Sequence, residues 1–251
     1  MSLSVIIGAL ELGLIYAIMS MGVLVSFRIL NIPDLTIDGS FTLGVATSAI
    51  LTANGMPLLG LFLGMAAGAV AGMITGYLQT KLKMQVILAG ILTMTALYSI
   101  NLHVMGNKPN VTLIGQDSIF TALDGILPDS VKNIAVILLI LLIVVVLLYL
   151  FLKTQIGMSL RATGDNEDMV RASSINSERM KILGLAIANA LVSLSGAVLA
   201  QYQSFADANG GIGTMVIGLA SIIVGEAILG RRSMLTSFLS AILGAIIYRF
   251  I

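Results

Sequence analysis

The sequence contains no cysteine and no tryptophan, and its one histidine is His103. The lack of cysteine excludes disulfide bonds, thiolate metal sites and a cysteine nucleophile. A single histidine leaves little material for metal binding or acid–base catalysis. We therefore predict no metal site and no catalytic residue in this chain, which we expect not to be an enzyme.

Charge is also scarce. Only 10% of the 251 residues are charged, against about 25% in an ordinary soluble domain. Hydrophobic residues make up 58%, and the mean hydropathy is +1.05. The basic residues are scattered over short loops instead of forming a stripe, which argues against a nucleic-acid partner. This composition predicts an integral membrane protein.

Apolar runs long enough to cross about 30 Å of hydrocarbon as helices recur along the chain. They predict an all-α, polytopic fold of about eight transmembrane helices in one domain, residues 1–251. The runs are Leu3–Phe27, Phe41–Leu51, Leu58–Thr80, Met84–Val104, Asn133–Leu152, Ile182–Tyr202, Thr214–Gly230 and Met234–Ile251. The second run is short unless part of the preceding segment is embedded.

Two features of the runs bear on packing and on ion coupling. Five glycines spaced by four in the third run, from Gly60 to Gly76, share one helix face and predict a close helix contact. Glu11 and Glu226 lie near the ends of their runs, and Glu226 is within reach of Arg231 or Arg232. For Glu11, a role in a pathway or subunit contact and simple placement at the membrane interface stay open.

The distribution of basic residues predicts the topology. With an external N-terminus, the loops on the external side carry only Lys108 and Lys132, and the long acidic break Gly106–Lys132 is external. The loops on the other side carry Arg28, Lys81, Lys83, Lys153, Arg161, Arg171, Arg179, Lys181, Arg231 and Arg232. Since basic residues concentrate on the inside, this second set is cytoplasmic.

The largest polar segment is Lys153–Lys181, which holds nine of the 25 charged residues. Charged side chains are costly among lipid tails, so the segment predicts a cytoplasmic loop. Asp165 or Asn166 can cap a short helix with Glu167 and Asp168 in its first turn. On polarity alone, the segment is typical of a solvated connector. The alternative is an element that docks onto another protein.

A second polar segment, Arg28–Ser40, follows the first run and is broken by Pro33 and Gly39. On composition it is an ordinary loop. The alternative is an interrupted membrane helix, because irregular backbone at membrane depth is tolerated where it lines a cavity or is buried in protein.

The run Leu160–Leu199 resembles the cytoplasmic coupling segment and following helix of bacterial ABC-importer permeases of the branched-chain amino acid and ribose type. Arg161, Ala162, Gly164, Asn166, Ala172 and Ile175 match that pattern, which reads roughly R-A-x-G-x-N followed by small residues and Gly-Ile. Val170 and Arg171 stand near the usual alanine pair, and Ser174 replaces the usual glycine. The resemblance implies ATPase-coupling roles for Arg161, Gly164, Asp165, Asn166, Glu167, Met169, Val170, Arg171, Ala172 and Ile175.

The segment after the first run is also similar to that family, in which it lies beside the translocation pathway. Asn31, Asp34, Leu35, Asp38 and Gly39 stand at comparable places. The resemblance makes the following residues candidates for the substrate pathway: Asn31, Asp34, Leu35, Thr36, Asp38 and Asn189. For Asn189, a purely structural hydrogen bond between helices is the main alternative.

No Walker A motif occurs, so the chain has no such device to bind ATP. The resemblance implies an importer permease of the bacterial plasma membrane that pairs with a second permease copy, identical or homologous. Its other partners would be two cytoplasmic ATPase subunits, which carry ATP and Mg²⁺, membrane lipid and an external solute-binding protein. Members of the family continue for one or two further spans, and we expect this sequence to be part of a longer protein.

The resemblance points to an amino acid as the solute, either aromatic, such as tryptophan or tyrosine, or branched-chain. Nucleosides and simple sugars are the alternatives. An ion-coupled carrier is a further alternative, disfavoured because it needs ligands for the coupling ion near the membrane midplane. The solute would move by alternating access.

Overall fold

The computed structural model describes residues 3–121 and 129–251, and this part of the chain is almost entirely helical. The predicted all-α, polytopic fold is confirmed. The helices are α1 (Leu3–Val23), which continues as a π-helical segment (Leu24–Ile29), α2 (Thr36–Ala53), α3 (Pro57–Thr80), α4 (Val86–Val104), α5 (Asp129–Lys153), α6 (Gln155–Asp165), α7 (Glu167–Ala172), α8 (Ser177–Gln203), α9 (Thr214–Leu229) and α10 (Met234–Phe250).

The count of eight spans is not confirmed. By length and composition, five helices in the described ranges can cross a membrane: α1 with its π-helical extension, α3, α4, α5 and α8. A sixth is reached if α9 and α10, which are bent by 119° at a short break, count as one span. With 16 and 17 residues, α9 and α10 are short for two spans.

Helix α2 is polar at its start and lies inside the protein. It packs against α8, α3 and α4, and most of its residues are buried. Because protein and not lipid surrounds it, serine, threonine and glycine cost little along its length. The short second run of the sequence is thus the apolar part of a longer interior helix.

The glycine face of α3 packs as predicted. The five positions meet α2 and α8, and an added Cβ at Gly72 would lie far inside contact distance of the Leu185 carbonyl oxygen. Small residues at this spacing let two membrane helices approach until their backbones touch. Close packing of α3 on α8 therefore depends on these glycines.

We expect Gly72→Ala to lower the thermal unfolding temperature of the purified protein, because the added methyl group must push α3 away from α8. Gly8→Ala is the matched control, since nothing lies within 4 Å of an added Cβ there. Alanine is favoured over glycine in a helix by about 0.5–1 kcal/mol, so Gly8→Ala should be neutral or stabilising. Equal effects at both positions would contradict the packing role of Gly72.

The polypeptide leaves α1 through the π-helical segment and forms a non-helical stretch, residues 30–35, before α2. The chain is therefore broken after the first span, as predicted, and we call residues 30–35 the broken segment. Leu30 and Ile32 in this stretch are buried against Leu160 of α6 and Leu185 of α8. The stretch is therefore enclosed by protein, as irregular backbone inside a membrane protein must be.

The predicted loop Lys153–Lys181 is mostly helical. It contains α6 and α7, and α8 begins at Ser177, earlier than the predicted Ile182. Thr154 caps α6, and Asn176 caps α8. The sequence interpretation missed α6 because its hydrophobic residues are few.

On the side predicted to be external, two short strands pair antiparallel. They are β1 (Asn110–Thr112) and β2 (Phe205–Asp207), with Val111 opposite Ala206. Residues 122–128, in the second half of the acidic break predicted to be external, lie outside the described residues.

Candidate functional site

Helix α7 begins where the sequence predicted. The Asn166 side-chain oxygen accepts a hydrogen bond from the Met169 N–H at 3.0 Å, and Glu167 and Asp168 occupy the first turn. Acidic groups at this end interact favourably with the helix dipole. Of the two capping candidates, Asn166 fills the role, and Asp165 is the last residue of α6.

Glu167 ties α7 to the start of α8. Its carboxylate lies 2.6 Å from Lys181 Nζ and 2.7 Å from the Arg171 guanidinium, and it accepts a hydrogen bond from the Ser177 hydroxyl at 3.1 Å. Burial acts to raise the pKa of Glu167, but hydrogen bonding and charge from Lys181, with help from Ser177 and Arg171, outweigh it and lower the pKa. These contacts of the ionised Glu167 therefore persist to a lower pH than the pKa of a free glutamate would allow.

The outward face of α7 is narrower than the sequence suggested. Met169 is 56% exposed, whereas Val170 is 1% exposed and packs inward. Arg171 and Ala172 are exposed, and Ile175 is half-buried. Val170, one of the residues to which the resemblance assigned a coupling role, is therefore not part of this exposed face.

The coupling candidates on α6 are divided between surface and interior. Arg161 and Asp165 are exposed. Gly164 is packed so closely on the Ile29 carbonyl oxygen that a Cβ could not be accommodated without movement. Gly164 thus forms a close contact between α6 and the end of the π-helical segment.

Two pathway candidates meet at the middle of α8. Asp34 and Asn189 are both fully buried, and the Asn189 amide donates to the Asp34 carboxylate at 2.7 Å. The Thr36 N–H donates to the other Asp34 oxygen at 2.9 Å, and the Thr36 hydroxyl lies 2.8 Å from that of Thr75 on α3. These contacts bind the broken segment to its neighbours.

The other pathway candidates are placed differently. Asn31 is exposed, with a left-handed backbone (φ 56°), and Leu35 is half-buried against Gly90 of α4. Asp38 holds the start of α9. Its two oxygens accept hydrogen bonds from the N–H groups of Gly213 (2.9 Å) and Met215 (2.8 Å), and the Thr214 hydroxyl donates at 3.0 Å.

An ion-pair network at the turn between α9 and α10 was predicted only in part. Glu226 lies 3.3 Å from Arg231, as its sequence proximity suggested. It also pairs with Arg28 from the π-helical segment, nearly 200 residues away. Nothing in the sequence indicated this second partner, because the contact depends on how α9 packs against α1.

Two further titratable residues have local roles. The Tyr202 hydroxyl donates to Glu11 at 2.6 Å, and Glu11 is 6% exposed, so this carboxylate is held between α1 and α8. His103 is exposed near the end of α4. Over residues 3–121 and 129–251, no group of three or more His, Cys, Asp or Glu side chains could hold a metal ion.

Apolar helices, a buried interior helix and a charged helical segment at one face define a multi-pass α-helical membrane protein. The chain belongs to the family described as "Branched-chain amino acid transport system / permease component", which matches residues 5–251. It is a transport subunit of the bacterial inner membrane. Permeases of this ABC family work with ATPase and solute-binding partners.

Two curated proteins are similar to the chain over most of its length. One is named "Tyrosine transport system permease protein" of Clostridioides difficile (strain R20291), 39% identical over 99% of this chain and 82% of the relative. The other is "Uncharacterized protein RP368" of Rickettsia prowazekii (strain Madrid E), 33% identical over 90% of this chain and 78% of the relative. No solved structure gives a significant match.

Proposed function

We propose that the chain is the permease of an ATP-driven importer for an amino acid, aromatic or branched-chain, that moves its solute by alternating access. The family description and the name of the Clostridioides difficile relative support an amino acid. The residues 1–251 act as one transmembrane domain. Nucleosides and simple sugars are the alternative solutes.

The observation that carries the proposal is α7, a short helix clamped to α8 with Met169 and the Arg171 side chain exposed. We assign α7 to a cleft in the ATPase. Met169 supplies apolar contact area, and Asp168 and Arg171 set the orientation through charge. ATP and Mg²⁺ bind to the ATPase subunits and not to this chain.

Two sets of contacts can transmit a movement of α7 to the membrane helices. The Glu167–Lys181 ion pair moves the start of α8 with α7. In addition, α6 contacts the end of the π-helical segment through Gly164 and Ile29. Both sets of contacts lead to the broken segment, because Leu30 packs on α6 and α8, and Asp34 is bonded to Asn189.

The solute path runs between two permease copies, with the broken segment beside it. Three residues are fully buried within one subunit and therefore stabilise the broken segment without lining the path: Asp34, Thr36 and Asn189. Asn31, Leu35 and Asp38, which retain some exposure, are the candidates for solute contact. Selection among solutes falls mainly to the external solute-binding protein.

We expect Met169→Glu to abolish ATP-driven uptake of labelled tyrosine or leucine and to remove ATPase activity from protein purified from native membranes. The substitution places a charge where the ATPase needs apolar contact, and central contacts of this kind are worth about 2 kcal/mol or more. The measurement pairs uptake in cells with ATPase assay and mass spectrometry of the purified complex.

The matched control is Met158→Glu on α6, because Met158 is 52% exposed and lies outside α7. It should keep both uptake and ATPase association. Full ATPase association of Met169→Glu would contradict the docking role of α7. Uptake of a nucleoside or simple sugar, but of neither amino acid, would select the alternative solutes.

A further inference from the structure

A cavity of about 340 Å³ lies at the predicted cytoplasmic face, and no residue of α7 lines it. Its walls come from the π-helical segment, α6 and the turn between α9 and α10. Leu24 and Phe238, both buried, are part of its apolar lining. The charged residues that line it are Arg28, Arg161, Asp165, Glu226, Arg231 and Arg232. Four arginines against two carboxylates leave an excess of two positive charges.

Among the described residues, two of the four arginines are unpaired, and so is Asp165, which lines the cavity one turn after Arg161 on α6 and offsets part of their charge. Glu226 is already paired with Arg28 and Arg231. Arg161 and Arg232, which face the cavity from α6 and from the hairpin turn, have no hydrogen-bond or ion-pair partner within the described chain. The Nε of Arg28 is buried and also lacks an acceptor. Arginine side chains converging on one cavity repel each other unless an anion lies between them.

The start of α10 adds to the positive electrostatic potential of the cavity. Ser233 and Met234 line the cavity, and the Ser233 side chain caps the Thr236 N–H. The Ser233 N–H donates in turn to the Thr236 hydroxyl, and the N–H groups of Met234 and Leu235 have no partner within the helix and carry the positive end of its dipole. An anion in the cavity is thus favoured by guanidinium groups from two sides and by a helix terminus from a third.

We propose that this cavity binds the phosphate group of a cytoplasmic ligand, held between Arg161 and Arg232. A guanidinium presents its N–H donors as a planar fork that matches phosphate oxygens, and more than one arginine is suited to a group that carries more than one acceptor oxygen. The volume is within the range of small-ligand pockets.

Binding would join α6 to the turn between α9 and α10, which share no other charged contact with each other among the described residues. Since α6 also packs on the π-helical segment, the bound phosphate would fix the cytoplasmic ends of three elements relative to one another. The proposal depends on the cavity and not on the identity of the transported solute. The phosphate could belong to an anionic phospholipid headgroup or be free in solution, and the experiment separates these sources.

The first arm measures binding of inorganic phosphate to the purified chain in a neutral detergent by isothermal titration calorimetry. Arg161→Gln and Arg232→Gln should each weaken binding by about tenfold or more, since each removes a charge-assisted hydrogen bond. Arg179→Gln is the control, because Arg179 is an exposed cytoplasmic arginine outside the cavity. It should leave binding unchanged, and circular dichroism should show equal helicity in all three variants.

The second arm measures thermal unfolding in nanodiscs of phosphatidylcholine with and without phosphatidylglycerol. Stabilisation by phosphatidylglycerol that is lost in Arg161→Gln and Arg232→Gln, but kept in Arg179→Gln, would identify a lipid headgroup as the source. Binding of inorganic phosphate without this lipid effect would identify a soluble phosphate. The proposal is overturned if neither probe depends on Arg161 and Arg232, or if Arg179→Gln has the same effect.

Discussion

Replacing Asn189 by leucine should destabilise the protein by about 3 kcal/mol or more, because it strands a buried polar partner. In the folded protein the Asn189 amide donates to the Asp34 carboxylate, and neither side chain is exposed. Leucine leaves this carboxyl group with Thr36 as its hydrogen-bond partner. Equilibrium unfolding of the purified protein in mixed micelles measures the loss.

Asn101→Leu is the matched control. Asn101 is also a buried amide, but its side chain donates to the backbone carbonyl of Gly39 at 3.1 Å and not to a carboxyl group. Its loss should cost about 1 kcal/mol, as for an ordinary hydrogen bond. If both variants lose the same stability, Asp34 is not dependent on Asn189.

A double-mutant cycle separates the pair from its surroundings. Asp34→Leu combined with Asn189→Leu removes both polar groups, and the double variant should be more stable than Asn189→Leu alone. Asp34→Asn should be mild, because an amide oxygen can still accept from Asn189. Equal stability of the double variant and Asn189→Leu would show that the burial of Asp34 is not the source of the loss.

The sequence predicted the membrane helices well, because hydropathy is a property of each segment by itself. The boundaries of α3, α9 and α10 lie within one residue of the predicted runs. The glycine face of α3 and the Asn166 cap were also predictable, because each follows from spacing along one helix.

Features that depend on contacts between distant segments were not predictable in this way. The inward position of Val170 is set by the packing of α7 on its neighbours α6 and α8. Asn189, which donates to Asp34, lies 155 residues away, and Gly213, which donates to Asp38, lies 175 residues away. The polar residues in the segment Arg28–Ser40 indicated that their side chains need hydrogen-bond partners. A solute and another part of the protein can supply such partners equally well.

The variant Asp38→Ala tests whether the protein or a solute uses the polar side chain at this position. We expect it to loosen the start of α9. Asp34 meets Asn189 at the middle of α8, and Asp38 follows one turn later. The start of α9 is therefore held against the first turn of the interior helix α2, where Thr214 and Met215 are buried and few other acceptors are available. Loss of the carboxylate frees the N–H groups of Gly213 and Met215, and we expect a cost of about 2 kcal/mol. Amide hydrogen exchange at Met215, together with thermal unfolding, measures the effect.

Asp207→Ala is the comparison, because the Asp207 side chain also accepts a backbone hydrogen bond, from Asn209, but in an exposed loop. That change should stay within about 0.5 kcal/mol of the unchanged protein. Asp38→Asn keeps one acceptor oxygen and should fall between the two. Unchanged exchange at Met215 in Asp38→Ala would mean that α9 does not need this carboxylate. Asp38 would then be free for a solute, and a loss of uptake in the same variant would place it in the path.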